Sequence, residues 1–351
     1  MIECLVGSEM CIRDSCGSSN CHETGVELFG NEDWQLALRA IMVALDQGEN
    51  QWQGGATLPI TVTIRAPKQS RTRFDFFSHT FTMDNREELG LTLRAAHLGI
   101  SPPVFATFPV QISSAQSVLA ERGYGYVFED GWVDLHRLIK RLQFEHTISD
   151  DLGQAQRNIE TSVTLLLRKV AHNDIVLMDI KLHNMVGRRV GDTLEYEVRM
   201  IDFGSNFTAI ANMHKAQKST SAQCIFFVNG LLLLNYIFTY GDWMVPIFCG
   251  LAREVAETWR GMANEGDGFC AELREDHNRV EAANAPSMRS LIREPEDTFP
   301  ALLRFAFYRM LDTYGKEGKL LKLAKTEGSK PGFIDRFVDV LEREFTKTPG
   351  C

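Results

Sequence analysis

Residues 170–204 read VAHNDIVLMDIKLHNMVGRRVGDTLEYEVRMIDFG, and the fold is decided by how this stretch is read. Asp179 opens the pattern D-x-K-x-x-N, completed by Lys181 and Asn184, and Asp202 opens D-F-G behind the apolar pair Met200-Ile201. Upstream, Leu165, Leu166, Leu167, Val170 and Ala171 form an apolar face at helical period that ends at His172-Asn173-Asp174. Downstream, Met185-Val186 and residues 196–201 read as two short strands joined by a turn at Gly191-Asp192. The expected order is therefore helix, polar loop, hairpin, second acidic loop. Phosphoryl transfer needs side chains of these four types, because that reaction is mostly positioning and charge neutralisation. One carboxylate orients an acceptor hydroxyl, and an ammonium two residues on steadies the transferred group. An amide three residues further holds a metal, and a carboxylate across the hairpin holds metal that bridges the phosphates.

The spacing resembles the catalytic and metal loops of the protein-kinase-like superfamily, whose usual loop reads H-R-D-x-K-x-x-N. The resemblance implies an α+β, bilobal fold with a small β-rich N-lobe and a larger, mostly helical C-lobe. It implies ATP and Mg2+ as cofactors, Asp179 and Lys181 as catalytic residues, and Asn184 and Asp202 as metal ligands. On this reading residues 23–130 form the N-lobe and hinge, and residues 131–351 the C-lobe.

Ahead of the core stretch, Ile60-Thr61-Val62-Thr63-Ile64-Arg65 alternates β-branched residues and reads as a strand delivering Arg65 or the following Lys68. Asn85-Arg86-Glu87-Glu88 then leads a helix to His97, followed by Gly99-Ile100-Ser101-Pro102. This block resembles the small lobe of choline-kinase-like phosphotransferases, where a strand ends in an arginine and a helix carries a glutamate. By that resemblance Arg65 touches the ATP phosphates and Glu88 holds it in place; the guanidinium bridges phosphates in two-pronged fashion. Residues 123–131 look like the strand and hinge between lobes, where backbone groups of Phe128, Glu129 and Asp130 would read the adenine edge. A helix from Asp134 to Leu142 follows, and residues 34–45 place apolar residues at helical spacing. No G-x-G-x-x-G precedes the Arg65 strand.

After Gly204 the chain departs from ordinary protein kinases. Only residues 205–222 separate D-F-G from an apolar helix, no A-P-E occurs there, and Ser219, Thr220 and Ser221 offer clustered hydroxyls. The helix at residues 224–240, CIFFVNGLLLLNYIFTY, falls short of the roughly twenty apolar residues that span a bilayer and carries Asn229 and Asn235. Burial at the centre of the large lobe is expected for it instead. Leu177-Met178 stand where the family has His-Arg, and Ile225 stands five positions before Gly230, where the family places its bracing aspartate. With both halves of that brace replaced, apolar packing is expected in its stead. His172 is expected to cap the end of its helix, and residues 299–311 and 333–345 to be helices completing the lobe.

The chain has 351 residues, 44% hydrophobic and 24% charged, enough for one large or two modest domains. Its net charge of -9 argues against a broad nucleic-acid footprint. Eight cysteines include no C-x-x-C pair; Cys4, Cys11, Cys16 and Cys21 crowd the start. Cys224, Cys249, Cys270 and Cys351 are scattered, so reduced thiols and a cytoplasmic protein are expected. Residues 7–15, GSEMCIRDS, resemble a translated adapter remnant, which makes residues 1–22 an artefactual or disordered start.

Three functions follow from the sequence. The leading one is an ATP- and Mg-dependent phosphotransferase acting on a hydroxyl of a protein or small molecule. The second is a pseudokinase serving as a nucleotide- or protein-binding module. The third is a non-catalytic helical membrane or scaffold protein, which makes the motif match accidental.

Overall fold

The computed structural model describes residues 25–28, 60–65, 85–113, 121–129, 131–145, 150–177, 179–203, 221–262, 268–275, 307, 332–347 and 351. The chain divides into two compact units, one comprising residues 1–75, 81–133 and 199–204 and the other residues 76–80, 134–198 and 205–351. The helix expected at residues 34–45 and the adapter-like start lie outside the described residues, as does all but Phe307 of the helix expected at 299–311.

The first unit holds an antiparallel sheet of β1 (Gly25–Leu28), β2 (Ile60–Arg65), β3 (Val104–Ser113) and β4 (Glu121–Glu129), in the order β1-β3-β4-β2. The β-branched run 60–64 is a strand as its alternation predicts. Its register with β4 sets Arg65 opposite Tyr124, Thr61 opposite Phe128 and Ile60 opposite Glu129. Helix α1 (Asn85–His97) precedes β3. It stops because Gly99 takes a left-handed φ of 62°, which lets Gly99 N–H donate to Ala96 O and Ile100 N–H to Ala95 O. Ile100 and Ala95 are thereby buried together at the helix end.

In the second unit, α2 (Leu135–Glu145) and α3 (Asp150–His172) lead into the loop that carries Asp179. Leu166, Leu167, Val170 and Ala171 of α3 are buried, whereas Leu165 is 56% exposed. The expected face therefore excludes Leu165, since three consecutive residues span some 200° of helix and cannot share one stripe. The helix ends as its sequence suggests: His172 Nδ1 donates to Arg168 O at 2.8 Å, Asn173 Nδ2 to Lys169 O at 2.8 Å, and Asp174 is left-handed at φ 57°. A 3-10 turn (Leu182–Asn184) then feeds the hairpin of β6 (Met185–Arg189) and β7 (Tyr196–Met200), which with β5 (Val133–Asp134) forms a three-stranded sheet in the order β5-β6-β7. Helix α3 ties the hairpin down, Asn158 Nδ2 donating to Leu194 O and Ser162 Oγ to Tyr196 O.

Helix α4 (Ala222–Tyr240) is buried from Cys224 to Ile237. Ser221 caps it, its side chain accepting from Cys224 N–H, so this hydroxyl serves the helix start. Among the described residues α4 is the one helix long and apolar enough to cross a membrane, and 78% of its most apolar window is buried inside the protein. Its cover comes from α3, α5 (Cys249–Gly261) and α7 (Phe333–Thr346). Gly230 lets α5 approach closely: a Cβ there would stand 2.4 Å from Val255 Cγ2. Trp259 of α5 stacks on Phe227 at 4.5 Å and donates to Asp335 Oδ1 of α7 at 2.7 Å.

The cysteine reading is corrected. Cys224 at the start of α4 is bonded to Cys270 of α6 (Gly268–Glu275), and Cys249 at the start of α5 to Cys351. These pairs are 46 and 102 residues apart, so spacing in the chain carries no sign of them; packing brings their Cα atoms to 6.0 and 6.1 Å. The fold is thus a mixture of helices and small antiparallel sheets in two units.

Candidate functional site

Residues 175–184 place the candidate centre. The loop follows a helix end closed by His172 and Asn173 and precedes the 3-10 turn, so its backbone is held at both ends. Between them it is gripped from α4. Leu177 N–H donates to Asn229 Oδ1 at 2.8 Å, and Asn229 Nδ2 donates to Ile175 O at 3.0 Å, with Asn229 wholly buried. A polar contact that the sequence reading did not foresee joins the apolar packing expected here. A buried polar brace is there, four positions along the helix from Ile225, and it grips backbone instead of a histidine. The substituted side chains Ile225 and Leu177 are buried as expected of apolar residues.

Within the loop the structure brings three of the expected residues together. Lys181 Nζ pairs with Asp179 Oδ2 at 2.9 Å, both side chains being partly exposed. Asn184, 1% exposed, donates Nδ2 to Asp179 O at 2.8 Å and more weakly to Asp179 Oδ2 at 3.3 Å. The Asp179 carboxylate is thus oriented by one ammonium and one amide. Because Asn184 spends its nitrogen on Asp179, its oxygen is the atom of the kind a hard cation takes. Tyr236 of α4 lies in the same field: burial first, then the charges of Asp134, Tyr240 and Asp179, push its phenol up to about 12.

A second polar cluster flanks the loop. Asp134 caps α2, its Oδ1 accepting from Arg137 N–H at 2.9 Å, while its Oδ2 accepts from His183 Nδ1 at 2.9 Å. Burial would raise the Asp134 carboxyl; the His183 and Arg137 hydrogen bonds outweigh it and hold the group below its usual range. His136, 4.5 Å from His183 between ring centroids, is pushed down by burial and next by the charge of His183. The sequence reading missed this cluster; the signal available was a histidine inside D-x-K-x-H-N and a second behind the Asp134 cap.

The remaining expected residues belong to the first unit. Asp202 is left-handed at φ 62°, a conformation uncommon outside glycine and one that tends to accompany function. Phe203 beside it is wholly buried. Arg65 closes β2, Glu88 lies in the first turn of α1, and Phe128 and Glu129 close β4. The antiparallel register puts Arg65 and the Phe128-Glu129 pair at opposite ends of β2, about 15 Å apart along the strand. Asp130 lies outside the described residues.

No family model matches the chain, and no curated protein matches it in sequence.

Proposed function

We propose that the chain is a bilobal, kinase-like phosphotransferase that moves the γ-phosphoryl group of ATP to a hydroxyl of a protein or small molecule. The observation that carries this reading is the loop cluster: an Asp179 carboxylate held by Lys181 and Asn184 on a backbone clamped by a buried amide. Such a carboxylate can accept the acceptor's hydroxyl proton as the oxygen attacks phosphorus. Lys181, already beside Asp179, would swing its ammonium to the transferred group. Asn184 and Asp202 would hold Mg2+, which when bound neutralises phosphate charge. One amide oxygen and one carboxylate suit that hard, oxygen-seeking ion. Arg65 would meet the phosphates with Glu88 steadying it, and the strand end at Phe128, Glu129 and Asp130 would read the base. The register supports this division, since a nucleotide is long and needs its two ends recognised far apart. A cytoplasmic setting belongs to the same proposal, and there the disulfides Cys224–Cys270 and Cys249–Cys351 would be uncommon features.

The test separates the two aspartates. Asp202→Asn is expected to weaken magnesium-dependent ATP binding, measured by thermal shift or calorimetry. Asp179→Asn is expected to leave affinity nearly intact and to lower phosphoryl transfer or ATP hydrolysis by roughly a hundredfold or more. Wild-type turnover no higher than that of Asp179→Asn, with Mg-ATP binding retained, would replace the enzyme with a nucleotide-binding module. No magnesium-dependent binding at all would remove both.

A further inference from the structure

His183 takes no part in the cluster around Asp179, although it lies on the same turn. Its Nδ1 bonds Asp134 Oδ2 at 2.9 Å across 49 residues of chain, and its ring faces His136 at 4.5 Å. Each of Asp134, His136 and His183 offers one ligand atom, and these atoms all lie within 4.8 Å of one another. We propose that Asp134, His136 and His183 form a binding site for a divalent transition-metal ion of the zinc class, which fastens the loop of residues 179–184 to the start of α2.

The donor set argues for the ion. Two imidazoles and one carboxylate are the three-protein-ligand arrangement that zinc takes with water in its fourth position, whereas Mg2+ and Ca2+ prefer oxygen alone. Tetrahedral bonds of about 2.1 Å put ligand atoms roughly 3.4 Å apart, so the present separations need changes of about an ångström. The side chains have that latitude, with His183 41% exposed and Asp134 17%. Their backbones do not move freely. Asp134 is tied to α2 through Arg137 N–H, and His183 sits in the 3-10 turn beside the buried Asn184. Trp243 meets His136 edge-on at 5.7 Å and walls one side. The cap bond and the ring contacts of His136 with His183 and Trp243 hold these side chains together without an ion; what a metal adds is a use for three ligand atoms that converge within 4.8 Å.

Binding is read without nucleotide or acceptor, so its outcome is separate from that of the phosphotransferase test. The full chain, stripped of metal, is titrated with Zn2+ by calorimetry and with Co2+ by visible absorption. One equivalent is expected, with a Co2+ spectrum of four-coordinate nitrogen and oxygen ligation. His136→Ala and His183→Ala should each weaken binding by about tenfold or more, as should Asp134→Asn, which keeps an acceptor for the helix cap. His97→Ala, at the exposed end of α1, should bind as wild type. Absence of binding, equal affinity in wild type and the His136→Ala/His183→Ala double variant, or a thiolate-to-cobalt absorption band in wild type would overturn the proposal.

Discussion

Asn229 shows how one buried side chain can hold a loop's backbone at two points. Its amide offers both an acceptor and a donor, so a single buried residue satisfies Leu177 N–H and Ile175 C=O, two backbone groups that have no place in regular structure. An apolar residue of the same bulk would satisfy neither. Asn229→Ala is therefore expected to cost about 2 to 4 kcal/mol, the penalty of leaving two buried backbone groups without partners. Denaturant unfolding monitored by tryptophan fluorescence measures it, and a loss below about 0.5 kcal/mol would show that water or a neighbour replaces the amide. Turnover, if present, should fall with it, since Asp179 rides on the same backbone.

At the scale of elements, α3 does more than deliver the loop. Its Glu160 reaches the start of α5, where Oε1 accepts from Leu251 N–H at 2.8 Å and lies close against Gly250. Burial raises the Glu160 carboxyl above its usual range and outweighs the Leu251 and Gly250 N–H groups that favour its charge. The folded protein therefore binds a proton here more readily than the unfolded chain. This group contributes stability at low pH that is lost as pH rises from the usual carboxylate value through the raised one. Glu160→Gln keeps an acceptor oxygen and never ionises. The variant should be at least as stable as wild type at pH 7, and that advantage should vanish near pH 3; urea midpoints at the two pH values measure it. A variant that gains on wild type as pH falls would mean that the charged carboxylate at this helix start stabilises after all.

At the largest scale, the second unit is held by links that join distant parts of its chain. Cys224–Cys270 ties α4 to α6, and Cys249–Cys351 ties the start of α5 to Cys351. Closing loops of 46 and 102 residues restricts the unfolded chain, and each bond is expected to add about 2 to 4 kcal/mol. Thermal melts with and without a reductant should differ by several degrees. Identical melts, together with free thiols on non-reducing analysis of the chain isolated from cells, would mean that the cysteines pack as thiols. Around these links the core is continuous through α4, α5 and α7, with Trp259 stacked on Phe227 and bonded to Asp335.

Local pattern was enough for the elements around the centre. Alternation gave β2, helical period gave α3 and α7, the Gly191-Asp192 turn gave the hairpin, and D-x-K-x-x-N brought Asp179, Lys181 and Asn184 into one cluster, because residues within six positions on a tight loop are neighbours whatever the rest does. Leu165 misled because three successive leucines look alike in sequence and only neighbouring helices choose which two are covered. Asn229, the cysteine pairs and the convergence of Asp134 and His136 on His183 were decided by tertiary packing alone. Each joins residues about 45 to 100 positions apart, and contact at that range depends on how whole helices cross, a quantity that no local spacing encodes.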